Sequence, residues 1–140
     1  SGSVEGVQRA MVLAKERGAK MAKELVVHGA FHSPLMESAR EDFEVALDYT
    51  EFKKVQIPVY TNVHATPITK DTELEFIKRT LYDQLTSSVR WEESIMNMIN
   101  DGAREFIELG PGKVLQGLIK RIDNTVVIKG VDKAEDINKL

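Results

Sequence analysis

Residues 26–36 have the sequence Val-Val-His-Gly-Ala-Phe-His-Ser-Pro-Leu-Met, and the rest of the chain can be arranged around them. The apolar run at 25–27 predicts a strand that the following glycine ends. Ser33 is a typical N-cap, and Pro34 suits the first position of a helix. His32 is therefore predicted on a strand-to-helix turn, where the positive helix end favours the neutral ring that a general base needs. On these residues alone, a histidine that merely packs in a loop remains the alternative.

The composition is that of one ordinary globular domain. The chain has 140 residues, of which 42% are apolar and 29% charged, and its net charge is −3 at pH 7. Because the two signs are interspersed, no nucleic-acid surface is predicted. The absence of cysteine excludes disulfides and thiolate metal sites, and it is compatible with the cytoplasmic location that we expect. No apolar run has membrane-spanning length and no signal peptide is recognised, so no membrane contact is expected.

Hydrophobic periodicity predicts helices that alternate with short, buried strands. Ser3 and Gly18 bound the first helix, which leads into a strand at 21–27. Thr72 and Glu75 have the spacing of a capping box for a later helix. The other predicted elements are a helix from Pro34 to about Tyr49, a strand at 59–62, a loop at 62–69, helices around 91–99 and 114–122, and strands at 105–109 and 125–131. This order predicts an α/β fold with mainly parallel strands.

In such a sheet, functional residues gather where strand carboxyl ends meet helix N-termini. The chain offers two such junctions, at 32–34 and at 110–113. The second has a Gly-Lys pair, but Ile107 and Val114 replace the glycine and the hydroxyl residue that a phosphate loop requires, so nucleotide binding is not predicted.

Two other kinds of site are also not predicted. His28 and His32 lie four residues apart, but the glycine between them and the proline after them disfavour a helix in which both would share a face, so no shared metal site is predicted. No serine lies in a Gly-x-Ser-x-Gly motif, so the nucleophile elbow of a hydrolase is missing. The chain therefore offers a candidate general base, His32, but no recognised nucleophile.

Four motifs, taken in order, resemble one enzyme family. They are Gly-Ala-Phe-His-Ser-Pro-Leu-Met at 29–36, Ile-Pro-Val-Tyr-Thr-Asn-Val at 57–63, Gln-Leu-Thr-Ser-Ser-Val-Arg-Trp at 84–91 and Glu-Leu-Gly-Pro-Gly-Lys-Val-Leu at 108–115. Together they cover nearly the whole chain, and they resemble the C-terminal half of bacterial malonyl-CoA:acyl-carrier-protein transacylases. Ser88 departs from the proline that this family commonly has there.

The resemblance implies a fold and a domain division. It predicts part of an α/β-hydrolase-like core with mainly parallel strands, at residues 28–140. Residues 1–27 would be the tail, the last αβ unit, of a ferredoxin-like inserted subdomain. The family's elbow serine, its oxyanion-hole glutamine and its carboxylate-binding arginine have no counterparts here, and we expect them upstream.

The resemblance also implies a function and a site. A Ser–His dyad would transfer malonyl from coenzyme A to the phosphopantetheine thiol of acyl carrier protein in fatty acid biosynthesis. His32 matches the catalytic histidine, and Gln84 matches the residue whose main-chain carbonyl orients it. Asn62 and the turn at 110–113 match positions lining the same region, with a structural role equally open.

The implied partners are malonyl-CoA, acyl carrier protein and the missing N-terminal half of the enzyme; no cofactor or metal is predicted. The alternatives are an acyltransferase domain of a polyketide or fatty-acid synthase and a noncatalytic interaction module. An elbow serine in the upstream sequence would discriminate among them. These residues alone are expected to be inactive.

Overall fold

The computed structural model describes residues 1–25, 27 and 29–139. The helices are α1 (Val4–Glu16), a first 3₁₀ helix (Pro34–Ala39), α2 (Arg40–Asp48), α3 (Leu74–Gln84), α4 (Trp91–Asn100), α5 (Val114–Ile122) and a second 3₁₀ helix (Ala134–Lys139). The strands are β1 (Val59–Tyr60), β2 (Pro67–Ile68), β3 (Glu105–Leu109) and β4 (Val127–Val131). Among these residues, no helix has the length and hydropathy needed to cross a membrane.

The C-terminal part of the chain forms a β-α-β unit. Strands β3 and β4 pair in parallel, with Glu105 opposite Val127 and Leu109 opposite Val131. Helix α5 connects them, and the adjoining core is built from apolar side chains of α4, α5, the two strands and the residue that precedes β4. Its members are Ile95, Ile119 and Val126, with Trp91, Met98, Ile99, Phe106, Ile122 and Ile128 packed against them. The α/β class and this parallel pair are thus confirmed.

The other face of this sheet is only partly covered by the described residues. Ile107 is 44% exposed, Leu109 73% and Val127 51%, so the prediction that the strand at 105–109 is buried is wrong. Helices α4 and α5 pack on only one side, and side chains alternate between the two faces of a strand. On this face Val131 is buried and Lys129 pairs with Glu105, so the open part is an apolar patch made by Ile107, Leu109 and Val127.

Strands β1 and β2 form an antiparallel hairpin, which pairs Val59 with Ile68. Strand β1 is shorter than the strand predicted at 59–62. The prediction of a loop at 62–69 is wrong at its end, because β2 occupies 67–68. Ala65 is fully buried and has a φ of 57°, and its N–H donates to the Thr61 carbonyl at 3.1 Å. The turn is closed by an alanine in the left-handed region rather than by glycine, so the sequence gives no turn signal there.

The strand predicted at 21–27 is not found in residues 21–25 and 27, and Val26 lies outside the described residues. The Val27 N–H donates to the Leu25 carbonyl at 3.0 Å, a contact of turn type. A strand needs a neighbouring strand to accept its hydrogen bonds, and none pairs with this segment in the described part of the chain.

Helix boundaries follow the predicted signals in part. The Ser3 hydroxyl accepts from the Gly6 N–H at 3.1 Å, and Gly18 follows α1 with a φ of 89°, as predicted. The capping box is wrong: Glu73 is the N-cap of α3, and the Thr72 hydroxyl accepts from the Thr69 N–H at 2.9 Å instead. A nearby loop donor therefore outcompetes the helix for that hydroxyl.

Candidate functional site

His32 is held against the carboxyl end of α3. Its Nδ1 lies 3.0 Å from the Gln84 carbonyl oxygen, and its main-chain N–H donates to the Leu85 carbonyl at 3.0 Å. A carbonyl can only accept, so this contact places the proton on Nδ1. The contact predicted between His32 and the Gln84 main chain is confirmed.

The two acceptors are carbonyls that the helix leaves unpaired. Gln84 is the last residue of α3 and Leu85 is its C-cap, and the final carbonyls of an α-helix have no intrahelical donor. His32 therefore satisfies groups that would otherwise face water. The segment after it is only a short 3₁₀ helix, Pro34–Ala39, and so the nearer α-helix end is the negative end of α3 rather than the predicted positive one.

The backbone at His32 is in the left-handed region, with a φ of 63°. That conformation costs a non-glycine residue roughly 1–2 kcal/mol, and such strain is found where surrounding structure fixes it. Ser33 supplies part of the support: it is 3% exposed, its hydroxyl donates to the Ala30 carbonyl at 2.7 Å, and it accepts from the Leu35 N–H at 3.3 Å. Ser33 is the N-cap that the sequence predicts.

Just before His32, Gly29 is favoured by its backbone conformation. Its φ is 136°, and a Cβ there would lie 2.9 Å from the Phe31 ring. His32 itself is half-buried, and its Nε2 has no hydrogen-bond partner in the part of the chain that the structure describes. With a proton on Nδ1, the Nε2 lone pair is free to accept a proton from an incoming group.

An open cavity of about 550 Å³ lies between α1 and the segment that leads to His32. Its apolar lining comes from both sides, and Ser1, Ser3, Lys23 and Glu24 add a polar part. The apolar members are Val4, Val7, Met11, Leu25, Val27, Ala30 and Leu35. Gly29 also lines it, so the cavity adjoins the turn that carries the histidine.

The second predicted junction is present but stands apart. Gly110 and Gly112 have φ values of 134° and 92°, and they turn β3 into α5 as predicted. The Glu108 carboxylate accepts from the Leu115 and Gln116 N–H groups at 3.1 and 3.2 Å. Desolvation opposes ionisation, but these main-chain bonds and the Gln116 side chain outweigh it and lower the pKa of Glu108.

The turn is fastened to the sheet rather than to the histidine. The Gly112 N–H donates to Asp132 at 2.8 Å, and no hydrogen bond in the described residues joins the turn to His32 or Gln84. Asn62 likewise makes a structural contact, because its carbonyl accepts from the Arg90 N–H at 3.0 Å. The two junctions therefore do not form one site within the described chain.

Metal binding finds no support in the described residues, where no cluster of three or more His, Asp or Glu side chains is present. His64 stacks on Phe76, with ring centroids 5.2 Å apart. The prediction that His28 and His32 share no metal site involves His28, which lies outside the described residues.

Sequence reasoning missed three residues next to His32. Leu85 accepts from the His32 main chain, and Arg40 binds Asp83 at 2.9 Å beside the Gln84 carbonyl. No local pattern marks them, since Arg40 looks like any charged helix residue and Asp83 like any helix-end carboxylate.

Comparisons with known proteins first give a class. No protein-family model matches the chain. It is 44% identical over 137 residues to the malonyl CoA-acyl carrier protein transacylase of Bacillus subtilis. The aligned region covers 98% of this chain and 42% of the relative. It also resembles the crystal structure of an acyl carrier protein S-malonyltransferase from Vibrio cholerae, at 40% identity and a TM-score of 0.87, over 99% of this chain and 44% of that one.

A third match, PlMCAT, is a malonyl-transacylase solved in complex with AntF, a type II polyketide-synthase acyl-carrier protein. Here the TM-score is 0.88 and the identity 38%, over 99% of this chain and 44% of that one. The chain is thus similar over nearly its whole length to acyl-transferring enzymes. Those enzymes are malonyl CoA-acyl carrier protein transacylases, which confirms the resemblance carried by the four motifs. The chain spans less than half the length of the relatives it matches.

Proposed function

We propose that this chain is the C-terminal portion of a malonyl-CoA:acyl-carrier-protein transacylase and that it supplies the general base of the reaction. The observation that carries the proposal is the His32 ring, whose Nδ1 is bound to the Gln84 carbonyl at 3.0 Å while Nε2 has no hydrogen-bond partner among the described residues. Similarity to transacylases over nearly the whole chain supports the same assignment.

The assigned roles follow from the two ring nitrogens. Nε2 would take the proton of a serine hydroxyl from the N-terminal half as that oxygen attacks the malonyl thioester carbonyl. The C–S bond breaks, and the leaving thiolate of coenzyme A takes the proton from Nε2. In the second half-reaction Nε2 removes the proton of the phosphopantetheine thiol, the sulfur attacks the serine ester, and the serine oxygen recovers the proton. The Gln84 carbonyl keeps Nδ1 protonated and stabilises the imidazolium formed each time.

We further propose the finer architecture, an α/β-hydrolase-like core at 28–140 and the tail of a ferredoxin-like subdomain at 1–27. The exposed apolar patch made by Ile107, Leu109 and Val127 supports contact with the N-terminal half, because exposed apolar patches of this kind mark interfaces. The cavity between α1 and the His32 segment falls at the proposed boundary.

The partners proposed are malonyl-CoA, acyl carrier protein and the N-terminal half. Support for the carrier protein comes from the relative that was solved with one. Cytoplasmic location and the expected absence of nucleic-acid and membrane partners stay predictions. The malonyl-transacylase proposal is preferred to a noncatalytic interaction module because the Gln84 carbonyl holds His32 in the tautomer that a general base needs. A module that only bound a partner through its surface would not require this contact.

The test is to measure malonyl transfer from malonyl-CoA to holo acyl carrier protein by residues 1–140 alone and by the same chain joined to, or mixed with, the N-terminal half of a matching transacylase. We expect no transfer by the chain alone and restored transfer by the combination. His32→Ala in the combination is the matched control and should abolish most of the restored rate. Transfer by residues 1–140 alone, or full activity of the control, would contradict the proposal.

A further inference from the structure

Arg40 joins the His32 segment to the end of α3. It is the first residue of α2, and its side chain is 14% exposed. One guanidinium nitrogen, Nη2, donates to Asp83 Oδ1 at 2.9 Å, while Nη1 lies 3.0 Å from each carboxylate oxygen of Glu37. Glu37 belongs to the 3₁₀ helix that follows His32, and so the guanidinium bridges that segment and the last turn of α3.

The guanidinium is fixed in orientation as well as in place. It lies over the Tyr82 ring, 3.8 Å from the ring centre, and Arg79 binds the other Asp83 oxygen, Oδ2, at 3.0 Å. A planar guanidinium that is stacked on a ring and bonded on two edges has little freedom to rotate. Asp83 is therefore held by two arginines, and Arg40 is held by two carboxylates and a ring.

The bonds to His32 come from the residues that follow Asp83 directly. Gln84 and Leu85 accept from the ring and from the main chain of His32. The last turn of a helix frays readily because its carbonyls lack internal donors. A side-chain anchor on Asp83 opposes that fraying at the point where the histidine is attached.

We propose that Arg40 and Asp83 are positioning residues, whose ion pair holds the α3 carboxyl end in the place where the Gln84 carbonyl fixes the Nδ1–H tautomer of His32. This inference rests on the proposed function. Neither residue touches the reacting atoms; both act through the Gln84 carbonyl. A merely structural pair would stabilise the contact between α2 and α3 without affecting the tautomer of the ring.

The chain contains a matched control for that distinction. Lys78 binds Asp48 at 3.5 Å, and this pair also joins α3 to α2. Asp48 is 70% exposed, and neither residue adjoins Gln84 or Leu85. Asp48→Asn therefore removes one ion pair between the same two helices and leaves the attachment of His32 intact.

The experiment uses the intact protein, that is, this chain combined with the N-terminal half as in the transfer test. The variants are Arg40→Gln, Asp83→Asn, their double variant and Asp48→Asn. Two properties are measured well below each unfolding temperature: the kcat and KM of malonyl transfer, and the tautomer of His32 by ¹⁵N NMR of the labelled imidazole. Asp83→Asn should lower kcat by roughly 10- to 100-fold, the order expected when a catalytic group is misplaced, and change KM for malonyl-CoA by less than about twofold. In this variant the His32 imidazole should populate both neutral tautomers.

The rate loss of the double variant should be smaller than the product of the two single losses, because both substitutions break the Arg40–Asp83 ion pair. Asp48→Asn should keep both the rate and the single Nδ1–H tautomer. Retention of that tautomer in Asp83→Asn would overturn the inference, whether or not the rate falls. If the unmodified protein transfers no malonyl, the proposed function fails, while the NMR comparison still decides whether the ion pair positions the ring.

Discussion

Substitution of His32 should separate the chemistry of its ring from the strain of its backbone. In the intact protein, His32→Ala removes the proposed base, for which a loss of about 10²- to 10⁴-fold in malonyl transfer is expected. It also removes the hydrogen bond to the Gln84 carbonyl, which is part-buried at 3.0 Å and worth about 0.5–1.5 kcal/mol of stability. Gln84→Ala keeps the main-chain acceptor, so its rate should fall by less than about threefold.

His32→Gly isolates the backbone contribution. The φ of 63° costs alanine but not glycine, and the greater chain entropy of unfolded glycine offsets part of that difference. The glycine variant should therefore be more stable than the alanine variant by about 0.5–1 kcal/mol, with an equal loss of activity. Urea unfolding and the transfer assay measure both effects. Equal rate losses in His32→Ala and Gln84→Ala would refute the main-chain assignment, and an alanine variant more stable than the glycine variant would refute the strain.

Three further outcomes follow from other contacts. Glu108→Gln should destabilise the protein at pH 7, and because folding lowers the pKa of Glu108, the difference from wild type should persist above the ordinary value of 4.5 and vanish as pH falls through the lowered one in pH-dependent urea unfolding. The hydrogen bond to Asp101, helped by desolvation, raises the pKa of Tyr60 to about 12; a wild-type minus Tyr60→Phe ultraviolet titration should show a tyrosinate step near that pH. The bond's contribution to stability should be complete below the ordinary value of 10.0 and lost as pH rises towards 12. Residues 1–140 alone should associate or aggregate through the exposed sheet face, as measured by sedimentation, and a monomer with cooperative unfolding would contradict this.

The sequence by itself determined the elements whose signals are local. Ser3 and Gly18 bound α1 as predicted, and the turn through Gly110 and Gly112 joins β3 to α5. These features depend on hydrogen bonds and backbone preferences within a few residues, which the amino-acid types specify directly. The motif resemblance added one long-range contact, between His32 and Gln84, that no local signal contains.

Only the tertiary structure decided which partners the polar groups choose. Thr72 has the spacing of a helix cap, yet its hydroxyl binds a loop N–H, and an antiparallel hairpin forms around Ala65 without a glycine signal. The left-handed conformation of His32 likewise depends on the end of α3, far away in sequence. The physical reason is that the strained backbone of His32 and the unpaired carbonyl of Gln84 are each unfavourable alone. Packing the two together satisfies the carbonyl and fixes the orientation of the imidazole ring.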